Sequence, residues 1–295
     1  MSYKTKIQSY WELTKPDITF LILISTFLGY FLGIKFIGGN IFDNPLVLIH
    51  LMIGAIFSSS GVAILNEYIE RDQDAIMDRT NKRPLPSGKI SPNSALIFGI
   101  VVSVIGVLEL ALLVNFYSGI LSFITITFYL FIYTPMKQKT PWNTLVGAIP
   151  GALPPVGGWL AATGNITSQT LAVFFILFFW QIPHFFSIAW LYKTDYKKAG
   201  FKMFMSDNND QFRSNIIMVG FCILTLIFSL FLFPSPASST TLIFISATII
   251  IGLLYVLASL KMAFKHSKKN ARRLLFVSII YIPSILIILI TGNLF

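Results

Sequence analysis

The apolar and polar positions of this chain fall in blocks. Apolar runs of about 20 residues recur from end to end, each long enough to cross roughly 30 Å of hydrocarbon as a helix, with short polar stretches between them. Nine spans are predicted, at residues 17–37, 46–66, 93–114, 117–135, 142–162, 169–191, 214–233, 240–260 and 272–291. Pro84/Pro86/Gly88, Pro135, Pro141 and Pro234/Pro236 punctuate the pattern, while Pro154, Pro155 and Pro183 fall inside spans. Breaks of the latter kind are tolerated where they line a protein-enclosed cavity. The first apolar run begins near Ile18 behind a polar lead, and its length and missing cleavage context read as a retained helix rather than a signal peptide. The expectation is an all-α integral membrane protein forming a single polytopic domain over 1–295.

Composition supports this, since 12% of residues are charged and 55% hydrophobic, whereas soluble domains carry about 25% charged residues. The charges also predict an orientation. Of 22 Lys and Arg residues, only Lys35 lies on the side of the loops after spans 1, 3, 5 and 7. The other 21 flank the N-terminus and the loops after spans 2, 4, 6 and 8, which the positive-inside rule makes cytoplasmic. The N-terminus is then inside and the C-terminus outside. The net charge of +10 reads as topology and contact with anionic head groups, not as nucleic-acid binding. The single cysteine, Cys222, is mid-span and reads as inert.

The most charged run, N-E-Y-I-E-R-D-Q-D-A-I-M-D-R-T-N-K-R-P from Asn66 to Pro84, starts where span 2 ends. On a helical wheel Asn66, Glu70 and Asp74 lie within about 80° of one another, and Asp78 continues the stripe. Carboxylates at a membrane boundary are expensive and are functional candidates by default. Magnesium is usually held by one or two carboxylates plus substrate phosphates, and Arg71 and Arg79 are placed to meet phosphate oxygens. A solvated, salt-bridged helix end is the bland alternative. A second cluster follows span 6 on the same side, where Asp195 stands among Lys193, Lys197, Lys198 and Lys202. Two such clusters on one face could close around one metal–diphosphate.

The first charged run resembles the first signature of the UbiA-type intramembrane prenyltransferases, and most closely their heme branch. L-T-K-P at Leu13–Pro16, Y-T-P-M-K at Tyr133–Lys137, T-P-W-N-T-L-V-G-A-I-P-G-A-L-P-P at Thr140–Pro155, W-Q-I-P-H-F at Trp180–Phe185 and W-L-Y-K-T-D-Y-K-K-A-G at Trp190–Gly200 agree with that branch. The resemblance covers nearly the whole chain. It implies nine helices around a central cavity with a diphosphate site on the cytoplasmic side. It further implies transfer of the farnesyl group of farnesyl diphosphate to a vinyl group of heme B, with water addition, giving heme O. Asn66, Glu70 and Asp74 resemble the first aspartate-rich motif, with Glu70 where many members have Asp, and Asp195 resembles the start of the second. Quinone-branch members have a further Asp where Ala199 stands here. The resemblance therefore implies catalytic roles for Asn66, Glu70, Asp74 and Asp195, with magnesium (Mg2+) as cofactor on Glu70, Asp74 and Asp195. It implies diphosphate binding by Lys15, Arg71, Arg79, Arg83, Tyr133, Lys137, Lys193 and Lys198.

Of the three histidines, His266 reads as solvated and His50 as interfacial. His184 lies mid-span. By position alone it is a hydrogen-bonded structural histidine; the resemblance turns it towards heme, as iron ligand or propionate partner. Trp180, one turn earlier on the same face, could stack on a porphyrin. Glu109, mid-span in span 3, stays unassigned. Two other functions are weighed against heme farnesylation. A prenyltransferase acting on a quinone precursor is disfavoured by His184 and Ala199. A secondary transporter would place charges near the midplane, where only Glu109 lies. The implied partners are farnesyl diphosphate, heme B, the lipid bilayer and a downstream heme A synthase. The missing organelle transit peptide points to a bacterial plasma membrane.

Overall fold

The computed structural model describes residues 3–205, 211–233 and 239–291. Pro234, Pro236 and the C-terminal Phe295 lie outside these. The described residues are helical, with no strand among them. Nine helical segments are long and apolar enough to span a membrane, at Pro16–Phe36, Pro45–Ile69, Pro92–Leu113, Phe116–Lys139, Asn143–Thr163, Ser168–Leu191, Gln211–Leu230, Thr241–Phe264 and Lys268–Thr291. All nine expected spans are therefore present, with ends shifted by four residues or fewer. Many large apolar side chains face outward, among them Leu108, Leu112, Phe123, Phe131, Ile250 and Phe276. In lipid that exposure carries no hydrophobic penalty.

The chain divides into two compact units, Met1–Ile166 with Asp195–Phe201, and Thr167–Thr194 with Lys202–Phe295. In the first unit a short helix α1 (Tyr3–Leu13) leads into α2 (Pro16–Phe36), then α3 (Pro45–Ile69), α4 (Arg71–Ile76) and α5 (Pro92–Leu113). The next span consists of α6 (Phe116–Thr127), a π turn (Phe128–Tyr133) and α7 (Thr134–Lys139). The fifth span is split into α8 (Asn143–Gly151) and α9 (Pro154–Thr163). Contacts run α3 to α5, α5 to α6, α6 to α9, α9 to α2 and α2 back to α3, so these five helices close a ring.

Prolines and glycines shape that ring. Pro135 has no N–H, and its ring would crowd the Phe131 carbonyl in a regular α-helix. The widened π turn ahead of it absorbs this, and Thr134 pairs with Tyr129 O through both its backbone N–H and its hydroxyl, the latter at 2.9 Å. Pro154 and Pro155 open the gap between α8 and α9. Helices α2 and α9 cross at bare backbone. A methyl group at Gly29 would strike the Pro155 carbonyl, and one at Gly158 the Thr26 carbonyl. Close approach through small residues is the usual way helices associate in lipid, where apolar burial gives no drive.

In the second unit α10 (Ser168–Leu191), α12 (Gln211–Leu230), α13 (Ser239–Phe264) and α14 (Lys268–Thr291) pack in sequence, with α14 closing on α10. Thr167 and Thr170 form a reciprocal capping box at the start of α10. Phe175, Phe178 and Phe179 on α10 meet Phe221 and Phe228 on α12, with ring centroids 5.0–6.4 Å apart across the two helices. Cys222 is buried and free, as expected. The short helix α11 (Lys193–Lys198) straddles the division between the units.

Candidate functional site: a carboxylate and cation cluster above an apolar cavity

The last turn of α3 carries Asn66 and Glu67, Glu70 caps it, and Asp74 sits in α4. The amides of Glu70 and Asp74 bond to the carbonyls of Asn66 and Glu70, so the i→i+4 ladder runs on through the junction. It stops at Met77, whose backbone is extended. Asp78 therefore leaves the stripe expected for it and pairs on the surface with Lys198, Oδ2 to Nζ 2.9 Å. Glu67, Glu70 and Asp74 are all buried, and their spacing of i, i+3 and i+7 puts them on one face.

Each of these three acids has a cation. Lys137 Nζ lies 2.8 Å from Glu70 Oε1 and donates to Oε2 at 3.0 Å. Arg83 donates to Asp74 Oδ2 at 2.7 Å, with its Nε 3.7 Å from Glu67 Oε1. Lys15 Nζ stands 3.6 Å from Glu67 Oε1 and donates to Asn66 Oδ1 at 3.4 Å. Asn66 in turn donates to Thr134 Oγ1 at 3.3 Å. Lys137 also lies over the Tyr133 ring, 4.8 Å from its centroid. Three acids and three bases leave the cluster formally neutral.

Lys15 is under strain twice over. Its φ of 47° is left-handed, a region that costs a non-glycine residue about 1–2 kcal/mol. Pro16 disfavours the ordinary helical alternative for the residue before it. Burial and the neighbouring Arg83 also push its ammonium down to about 8, against the pull of Glu67, Asp74 and Glu70. Strain of this kind persists only where the surroundings hold it, and it concentrates at functional sites.

The second charged segment joins the first through backbone. Asp195, buried, accepts from the Arg79 amide at 3.3 Å, and the Arg79 guanidinium donates to Tyr196 Oη at 3.4 Å. Not every expected residue gathers here. Arg71 donates to Tyr68 O at 2.8 Å, lies over the Tyr68 ring and is 3.8 Å from exposed Asp72. Lys193 belongs to the second unit and lies over Trp190, 5.2 Å from the ring centroid.

Beneath the cluster the ring of helices lines a half-open apolar cavity. Lys15 and Asn66 stand at one end and Leu51, Leu110 and Ser118 at the other, with Val62, Ile126 and Tyr129 between. Pro150, Gly151, Leu153 and Pro154, at the break in the fifth span, form part of its wall. Along α3 the lining runs from Asn66 to Leu51, a rise of roughly 22 Å at 1.5 Å per residue.

Residues 22–280 match the UbiA prenyltransferase family. The chain belongs to that family. It is 40% identical over 287 residues to the protoheme IX farnesyltransferase of Solibacter usitatus, covering 95% of this chain and 96% of the relative. It is 38% identical over 292 residues to that of Koribacter versatilis, covering 94% and 90%. Among solved structures, a digeranylgeranylglyceryl phosphate synthase superposes with a TM-score of 0.77 at 19% identity, covering 98% of this chain and 99% of that one. A UbiA homolog from Archaeoglobus fulgidus bound to GPP and Mg2+ superposes at 0.66 and 17% identity, covering 95% and 99%. The structural likeness shows the fold; the sequence likeness shows the family. This is a multi-pass membrane prenyltransferase.

The oxygen donors of this cluster suit a hard cation. Glu67 Oε2 is buried and accepts no hydrogen bond. Among the described residues no three His, Cys, Asp or Glu side chains form a metal cage. Glu67 is the residue that the helical wheel passed over, because an i+4 stripe begun at Asn66 does not include it. The i, i+3, i+7 pattern of Glu67, Glu70 and Asp74 is the signal that would have found it.

In the second unit His184 Nδ1 is 2.8 Å from Ser278 Oγ, and Trp180 Nε1 donates to Ser278 O at 2.7 Å. Trp180 lies against the imidazole, centroids 5.3 Å apart at 29°, so one face of the indole is given to His184. His50 and Glu109 answer each other, Nδ1 to Oε1 at 2.8 Å, which gives Glu109 a partner. His266 is half-buried and bonded to Asn215 Oδ1 at 3.0 Å, not simply solvated.

Proposed function

We propose that this chain transfers the farnesyl group of farnesyl diphosphate to a vinyl group of heme B, with water addition, giving heme O and diphosphate. The observation that carries the reading is the neutral carboxylate–cation cluster capping a deep apolar cavity, in a chain 33–40% identical to several protoheme IX farnesyltransferases. Glu67, Glu70 and Asp74, with Asp195, would hold magnesium. When bound, the ion supplies positive charge to the leaving diphosphate. Lys15, Arg83 and Lys137 are each turned to a carboxylate. Once those carboxylates have another partner, the three cations are at hand for the phosphate oxygens. They then stabilise the negative charge that builds as the allylic C–O bond breaks and its electron pair leaves with diphosphate.

The farnesyl chain would lie along the cavity below Lys15 and Asn66, whose walls keep bulk water from the allylic cation. The vinyl π electrons of heme form the new carbon–carbon bond to the allylic carbon. Water captures the cation left on the former vinyl group and gives up a proton to solvent. His184, with Trp180 at its side, is the proposed heme contact. The site end of the first unit faces the cytoplasm of a bacterium in this reading, and a heme A synthase is the natural recipient of the product.

The test is an assay of purified protein with magnesium, farnesyl diphosphate and either heme B or a phenolic acid. Heme O appearing only with heme B and magnesium is expected. Prenylation of the phenolic acid instead would move the chain to the quinone branch, and full activity in excess chelator would remove the magnesium reading.

A further inference from the structure

We infer that Ser278 is a positioning residue that fixes the tautomer of His184, so that Nε2 carries the lone pair and meets the iron of heme, not a propionate. The inference rests on the reading of His184 as a heme contact. It begins from one hydroxyl proton. Ser278 Oγ is 2.6 Å from Leu275 O and 2.8 Å from His184 Nδ1. A carbonyl oxygen only accepts, so the serine proton points at Leu275. What Ser278 offers to the imidazole is therefore a lone pair, and Nδ1 must be the nitrogen that bears hydrogen. In a neutral imidazole the other nitrogen is then an acceptor. Among the described residues Nε2 has no hydrogen bond, and a propionate, itself an acceptor, would have nothing to receive from it.

The same residue fixes the ring's orientation. While its hydroxyl holds the imidazole, its carbonyl accepts from Trp180 Nε1 at 2.7 Å, and Trp180 stacks on the imidazole. Tyr255 Oη donates to the Trp180 backbone carbonyl at 2.8 Å, so the residue is held at its main chain as well as at its indole N–H. An outer partner that sets tautomer and angle is the usual support of a metal-binding histidine, and losing one typically lowers metal affinity 10–100-fold.

The experiment titrates detergent-purified protein with ferric and ferrous heme and with metal-free protoporphyrin IX, which keeps both propionates. His184→Ala should lose the imidazole-ligated absorbance of heme yet bind metal-free protoporphyrin like wild type. Ser278→Ala should weaken heme binding by roughly tenfold or more and lower the iron–imidazole stretching frequency of the ferrous complex. Ser278→Thr, which keeps the hydroxyl, should restore both. Labelled farnesyl diphosphate binding should be unchanged throughout, which shows that the variants fold. Equal losses of heme and metal-free porphyrin in His184→Ala would make the contact a propionate and overturn the inference. So would a wild-type spectrum and stretch in Ser278→Ala beside a His184→Ala that has lost the imidazole-ligated absorbance. Wild-type heme binding by His184→Ala would instead remove the heme role of His184 itself.

Discussion

Lys137 reaches back over 67 residues to Glu70, its Nζ 2.8 Å from one carboxylate oxygen and 3.0 Å from the other. The pair is nearly buried, so removing one partner strands the other. Lys137→Met should lower stability by about 3 kcal/mol and weaken prenyl diphosphate binding. Adding Glu70→Gln should recover most of the stability and none of the turnover. Thermal unfolding in detergent, run beside the activity assay, separates the two effects. An unchanged melting temperature in Lys137→Met would mean the pair contributes nothing to the fold.

Lys15 combines a left-handed backbone with a buried ammonium, so the two contributions can be set against each other. Lys15→Gly removes both the strain and the charge. The expected result is equal or higher thermal stability, with farnesyl diphosphate affinity reduced at least tenfold. A clear loss of stability would mean that the lysine is there to hold α2 against α3.

Two adjacent glycines predict opposite outcomes. A methyl at Gly158 collides with the Thr26 carbonyl and the Tyr30 amide, whereas one at Gly157 meets only Leu121 at 3.7 Å. Gly158→Ala should destabilise by about 1–3 kcal/mol, the range for overpacking. Gly157→Ala should be close to neutral. The comparison needs only melting curves of the two variants.

Lys35 is the single basic residue assigned to the outer face. A phosphatase or fluorescent reporter fused at the C-terminus should therefore report an external location. A cytoplasmic signal would reverse the orientation argued from charge.

The spans could be read from sequence because each is a long apolar block whose ends lie at prolines, caps or charges: Pro16, Pro45, Pro92, Asn115 and Thr167 begin helices or cap them. The carboxylates could be read because a charge at a membrane boundary needs a reason. Pairings were a different matter. Nothing local tells Lys137 from Lys139, or Arg83 from Arg71; the choice is made where α7 and the loop after α4 meet the end of α3. Arg71 is one residue from Glu70 in sequence, yet the turn of the junction sends its guanidinium to Tyr68. Asp78 seemed to extend the stripe until an extended Met77 ended the helix. Ser278 carried no signal at all. It is a small hydroxyl in an apolar span, and only the packing of α14 on α10 brings it to His184.

The separation of Glu70 from Lys137 also bears on how the protein is made. A ribosome adding roughly 5–20 residues per second needs on the order of 3–13 s to produce the 67 residues between them. Helix α3 enters the bilayer well before the lysine exists, and Glu70 must spend that interval among water and head groups at the interface. The arrival of the span ending in α7 draws it inward. A chain stopped before Lys137 therefore lacks the cation that Glu70 meets in the finished fold.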